Sequence, residues 1–62
     1  MMTFENALIA ANYFYQPECG CYVKDDKNGN VHTYLELEHN LWNYEKYDAN
    51  DDLIVSKSFT LS

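Results

Sequence analysis

The stretch that decides the fold is VHTYLELE, residues 31–38, in which apolar and polar side chains alternate. A period of two is typical of a β-strand with one buried face. The dipeptide Asn28-Gly29 stands just before this stretch and is a strong signal for a hairpin turn. Residues 19–24 alternate in the same way on the other side of the turn. The sequence therefore predicts a β-hairpin at its centre.

The hydrophobic pattern also selects the register of this hairpin, because a slip of one residue exchanges the two faces of a strand. A two-residue turn would set Cys21 opposite Glu36. A three-residue loop, residues 27–29 with Gly29 left-handed, sets Cys21 opposite Leu35. We predict the three-residue loop, since it pairs apolar with apolar.

The remaining elements follow from the same reading. Thr3 can cap a helix over residues 4–15 that carries an apolar stripe and stops before Pro17. Strands are predicted at about 19–26, 31–38, 41–47 and 53–61. The predicted fold class is α+β: one domain, residues 1–62, with a single N-terminal helix packed on one face of a four-stranded antiparallel meander. No internal repeat is expected.

The two faces of the predicted sheet differ in character. The helix is expected to cover an inner face through Leu8 and Trp42, and this face also carries Cys19, Cys21, Val23, Leu35 near Tyr44, and Leu37 near Trp42. The outer face is expected to be wet and rich in tyrosine, with Tyr22, Tyr34, Glu36, Glu38, Asn43, Glu45, Ser56, Ser58 and Thr60.

Charge limits the range of functions. The 62 residues include ten Asp and Glu, four Lys and no Arg, for a net charge of -6. Such a chain lacks the groups that hold phosphate, so direct binding to nucleic acid or to an anionic membrane is not expected. Its field attracts basic surfaces. With no long apolar run and no basic start of a signal peptide, we expect a cytoplasmic protein.

A possible metal or redox site is formed by Cys19, Cys21, His32 and His39. The set could supply four ligands for zinc, but its spacing does not match common zinc motifs. We expect two reduced, buried cysteines in a strand, because a disulfide between residues two apart would be strained. No cofactor is expected.

Two aspartate-rich loops faintly match a calcium loop, at 26–30 and 48–52. The second has Leu53 and Phe59 where that motif requires glycine and glutamate, and in the first the glycine comes too early. Both are interpreted as polar turns. No nucleophile stands beside a base, and no carboxylate pair is buried, so we do not expect an enzyme.

Topology brings these loops together, because the first and third loops of a meander lie at one end of the sheet. Acidic residues then gather at that end and on the outer face, beside two tyrosines that could anchor a partner. The predicted partner-binding residues are Asp25, Asp26, Asp48, Asp51, Asp52, Glu36, Glu38, Glu45, Tyr22 and Tyr34.

The overall profile resembles the small acidic inhibitors encoded by bacteriophages and mobile elements, such as anti-CRISPR proteins and anti-restriction DNA mimics. The resemblance covers the full chain and lies in its short length, strong negative charge, lack of Arg, and many Tyr and Asn. It implies an inhibitor whose carboxylates replace DNA phosphates in a basic site of a bacterial defence complex, in the host cytoplasm.

Two other functions remain open at this point. One is a small protein-protein adaptor or antitoxin that uses the tyrosine-rich sheet face. The other is a small zinc-stabilised domain. A monomer or weak dimer is expected, because an exposed sheet edge could pair with a second copy.

Overall fold

A computed structural model describes residues 2–62 as one short helix and a five-stranded antiparallel sheet. Each strand pairs with the next along the chain, in the order β1-β2-β3-β4-β5. The elements are α1 Phe4–Ala10, β1 Phe14–Gln16, β2 Cys21–Asp25, β3 Val31–Glu38, β4 Leu41–Tyr47 and β5 Leu53–Thr60. The α+β class and the meander are as predicted, but the sheet has five strands and not four.

The helix is shorter than predicted. Thr3 caps its start, with the hydroxyl accepting a hydrogen bond from the Asn6 amide at 3.1 Å. The helix ends at Ala10, and Asn12 then takes a left-handed conformation with φ of 73°. The ammonium group of Lys24 donates to the Ala11 carbonyl at 2.9 Å, which satisfies a carbonyl that the ended helix leaves free.

The aromatic residues after this turn form β1, although the sequence predicted helix there. Phe14 pairs with Val23, and Tyr15 pairs with Tyr22. Aromatic side chains favour a pleated, half-buried surface, and the long-range pairing with β2 outweighs a local helical pattern. The predicted helix over 4–15 is therefore wrong beyond Ala10.

The central hairpin has the predicted register. Cys21 lies opposite Leu35, and Tyr22 lies opposite Tyr34. Gly29 is left-handed with φ of 83°, as the three-residue loop requires. Local turn chemistry and the alternation of apolar residues thus specified this element together.

The pairing of β3 with β4 differs from the expected one. Leu35 lies opposite Asn43, and Glu36 lies opposite Trp42. A register shift between Glu36 and Glu38 leaves Leu37 half exposed. Leu35 and Leu37 therefore do not face Tyr44 and Trp42, because the bulge moves the strand by one residue.

The helix covers the tyrosine-rich face and not the cysteine face. The ring of Phe4 lies 4.8 Å from that of Trp42, 5.6 Å from Tyr34 and 5.9 Å from Phe59, all edge to face. Large aromatic rings bury more apolar area than cysteine or valine, so this face is the better partner for the helix. The prediction that Tyr22 and Tyr34 lie on the outer face is wrong.

The predicted core pair is buried on this side of the sheet. Leu8 is 5% exposed and Trp42 is 1% exposed. None of the helical segments within residues 2–62 has the length and apolar character that a membrane crossing requires.

Candidate partner-binding site

Two acidic loops at one end of the sheet have the same construction. In the β2–β3 loop, the Asp26 carboxylate accepts hydrogen bonds from the amides of Asn28 and Asn30, at 2.8 and 3.0 Å. In the β4–β5 loop, Asp48 accepts from the amides of Asn50 and Asp52, again at 2.8 and 3.0 Å. Each aspartate folds its own loop by capping backbone donors.

The two loop sequences, DKNGN at 26–30 and DANDD at 48–52, are therefore a short structural repeat, although none was expected. Gly29 in the first loop and Asp51 in the second occupy the same left-handed position, with φ of 83° and 64°. Glycine adopts this conformation freely, and asparagine and aspartate do so occasionally. The repeat escaped sequence analysis because glycine stands where the other loop has aspartate.

The two loops lie against each other. A Cβ atom built on Gly29 would be 3.4 Å from the Cβ of Ala49. Five aspartates are thus gathered at one end of the sheet, four on the two adjacent loops and one at the end of β2: Asp25, Asp26, Asp48, Asp51 and Asp52. This is the placement that the meander topology predicted.

Asp26 is tied further to the sheet by a chain of hydrogen bonds that the sequence did not suggest. Its second carboxylate oxygen lies 2.9 Å from Nε2 of His32, and Nδ1 of His32 lies 2.7 Å from the hydroxyl of Tyr44. The bond to His32 and the loop amides lower the pKa of Asp26 to about 2. Burial raises the pKa of Tyr44, which is the opposite of what an activated nucleophile needs. The role of these hydrogen bonds is therefore to position the β2–β3 loop on the sheet.

The face of the sheet opposite the helix forms an open trough with a volume of about 610 Å³. Buried Cys21 and Val23 lie in its floor, at 8% and 7% exposed. The remaining lining residues come from the same face of β1 to β4, from Cys19 in the β1–β2 turn and from the β4–β5 loop, and include Phe14, Val31, Thr33, Leu35, Asn43 and Tyr47. Three carboxylates also line it: Asp25, Glu45 and Asp51.

Glu45 is held in a defined position in this trough. The Tyr47 hydroxyl donates to one carboxylate oxygen at 2.7 Å, and the Ser56 hydroxyl donates to the other at 3.5 Å. The bond to the carboxylate raises the pKa of Tyr47, since loss of the phenolic proton would break it. The result is a half-buried, oriented carboxylate beside an apolar floor.

The lysines of the strands lie on the other face. Lys24 is 5.5 Å from the centre of the Tyr13 ring, and Lys57 is 5.7 Å from the centre of the Tyr44 ring. Lys46 lies opposite His32, which in turn lies opposite Lys24, so the two lysines share one cross-strand row. The strand lysines thus share the helix side of the sheet, and three carboxylates, Asp25, Glu45 and Asp51, line the trough without a lysine beside them.

The prediction of two reduced cysteines is wrong. Cys19 and Cys21 form a disulfide. A left-handed Gly20, with φ of 69°, turns the chain between them and brings the two side chains to one side. With both sulfurs joined and both ring nitrogens of His32 hydrogen-bonded, the four-residue zinc set is not assembled. Residues 2–62 contain no group of three or more His, Cys, Asp or Glu side chains that could hold a metal.

The ten predicted partner-binding residues do not form one surface. The loop aspartates and Glu45 lie at the acidic end and in the trough. Tyr22 and Tyr34 are half-buried on the helix side, and desolvation raises the pKa of Tyr22. Glu36 and Glu38 are exposed, and Glu36 lies opposite Trp42 on that same side. Alternation alone does not tell which face a helix covers.

Comparisons of the chain with protein-family models, with curated proteins and with solved structures give no match.

Proposed function

We propose that this chain is a phage-type inhibitor of a bacterial defence complex, either a CRISPR effector or a restriction enzyme. Its acidic surface occupies the nucleic-acid-binding site of that complex in place of DNA. The close approach of Gly29 to Ala49 is the observation that carries the proposal, because it shows two aspartate-rich loops side by side at one end of a small sheet.

Like charges brought together destabilise a compact fold, and a chain of 62 residues has little stability to spare. In an empty DNA-binding channel, lysine and arginine side chains repel one another in the same way, with positive instead of negative charge. Binding of an acidic end to such a channel relieves both. Binding, rather than catalysis, is the proposed activity.

The loop aspartates divide into two groups. Asp26 and Asp48 accept hydrogen bonds from their own loops and fix the shape of the end. Asp25, Asp51 and Asp52 are exposed and leave their carboxylates available to a partner. Tyr34, on the face on which an adaptor would depend, packs against Phe4 of the helix and against Tyr13, which favours the acidic end as the binding surface.

The test is competition with DNA. Purified CRISPR effectors and restriction enzymes are incubated with the protein, and their DNA binding is measured by mobility shift as salt concentration rises. We expect inhibition of at least one of them, weakening steeply with salt because screening removes the attraction. The double variant Asp51→Asn with Asp52→Asn should inhibit poorly while remaining folded.

The matched control is Glu5→Gln with Glu18→Gln, which removes the same charge far from the loops. If both double variants lose inhibition equally, net charge alone is responsible and the localised surface is wrong. If no effector or restriction enzyme loses DNA binding at any salt concentration, the proposed function is abandoned.

A further inference from the structure

The trough offers a second, more selective contact than the acidic end. We propose that it receives an arginine side chain from a protein partner, with the guanidinium on Glu45 and neighbouring apolar groups of the partner on the floor. This inference rests on the proposed function, because it assigns the partner's chemistry at one part of the acidic surface.

Charge complementarity selects a cationic occupant. Asp25, Glu45 and Asp51 all line the trough, and no lysine does. Within residues 2–62, no lysine or histidine side chain lies within ion-pairing distance of Glu45, so this carboxylate has no cation of its own. A half-buried carboxylate without a counter-ion favours a ligand that supplies one.

The geometry of Glu45 favours arginine. Its two oxygens each accept one hydroxyl hydrogen bond, from Tyr47 and Ser56, and each keeps a further lone pair. A guanidinium can donate to both oxygens at once in its planar fork, whereas an ammonium group acts as a point charge. The ring of Tyr47, beside the same carboxylate, provides a face on which the guanidinium can stack.

The floor explains why the partner must also be apolar. Cys21 and Val23 are buried there, and Val31 and Leu35 are half-buried around them. Among residues 2–62 no helix covers this surface, since α1 packs on the other face. A partner segment with aliphatic side chains beside its arginine would remove this apolar area from water, which favours association. A purely polar cation would not.

The experiment uses the intact protein, labelled with ¹⁵N, and two synthetic peptides of equal charge. One peptide alternates leucine with arginine, and the other alternates serine with arginine. We expect the leucine-arginine peptide to bind more tightly and to shift the amide signals of Val23, Thr33 and Glu45 more than those of the loops. Equal affinity for both peptides would overturn the proposal, because the floor would then contribute nothing.

Glu45→Gln tests the carboxylate directly. Glutamine keeps one carbonyl oxygen to accept the Tyr47 hydrogen bond, and its amide group can donate to the Ser56 hydroxyl, so the fold is kept. Affinity for the leucine-arginine peptide should fall by about tenfold. Glu36→Gln is the control, since it removes the same charge on the helix side of the sheet. An unchanged affinity in Glu45→Gln, or an equal loss in both variants, would contradict the proposal.

These outcomes are separate from the test of function. If Asp51→Asn with Asp52→Asn abolishes inhibition of a defence complex while Glu45→Gln binds the peptide normally, the trough proposal fails and the proposed function stands.

Discussion

A hydrogen bond joins the Asp26 carboxylate to the His32 ring, with 2.9 Å between Oδ2 and Nε2. The pair joins the first acidic loop to β3, and the Tyr44 hydroxyl extends the connection to β4. One carboxylate therefore folds its own loop and fixes that loop to the sheet.

This arrangement predicts a specific loss of stability in acid. The pKa of Asp26 is lowered from 3.8 to about 2, chiefly by the hydrogen bond to His32. Because the folded-state pKa lies below the unfolded one, the carboxylate stabilises the fold above pH 3.8, and this contribution disappears as pH falls towards 2. Thermal melts followed by circular dichroism should show a steeper decline between these pH values in the wild type than in Asp26→Asn. Parallel declines would contradict the prediction.

The helix is predicted to depend on Leu8. Leu8→Ala leaves a cavity under a residue that is 5% exposed, and should lower the free energy of unfolding by about 2 to 5 kcal/mol. Ile9→Ala is the control on the same helix, since Ile9 is 51% exposed and should change stability by less than about 0.5 kcal/mol. Urea denaturation followed by Trp42 fluorescence measures both. Similar losses in the two variants would mean that the helix packs differently.

The repeated loops predict opposite effects on stability for two substitutions at equivalent positions, one that introduces glycine and one that removes it. Asp51→Gly places glycine at a φ of 64° and should raise the free energy of unfolding by up to about 1 kcal/mol, partly by removing charge. Gly29→Ala should lower it by about 1 kcal/mol, because alanine is strained at a φ of 83°. Asp52→Asn removes the same charge as Asp51→Gly without changing backbone freedom. If Asp52→Asn stabilises the protein as much as Asp51→Gly does, the prediction about backbone conformation fails.

The disulfide makes a separate prediction. Cys19 and Cys21 are two residues apart, so the bond closes a very small loop and should stabilise the fold by only about 1 to 2 kcal/mol. Reduction followed by alkylation should therefore lower the melting temperature without unfolding the protein at room temperature. Protein isolated without reductant should take up an alkylating reagent only after reduction. Uptake of two reagent groups before reduction would show free thiols instead.

Sequence reasoning succeeded where a local signal had one physical outcome. Asn28-Gly29, with alternating residues on both sides, allowed only one register that paired apolar with apolar, and Cys21 does lie opposite Leu35. The order of elements in the meander also placed the two aspartate loops at one end. These features depend on residues that are close in sequence.

The same reasoning failed where distant contacts decided between local alternatives. Phe14 and Tyr15 fit a helical stripe, but aromatic residues also suit a strand, and pairing with β2 settled the matter. The hydrogen bonds of Asp26 to His32, and of Glu45 to Tyr47, likewise had no signature that a single sequence displays.

The sequence by itself determined the alternation of each central strand, the turn at Gly29 and the acidic character of the loop end. Only the tertiary structure decided which side of the sheet the helix covers. Both sides carry apolar residues, Cys21 and Val23 on one and Tyr34 and Trp42 on the other, so a period of two does not distinguish them. The larger aromatic area, packed around Phe4, made the choice and left the opposite face open as an acidic trough.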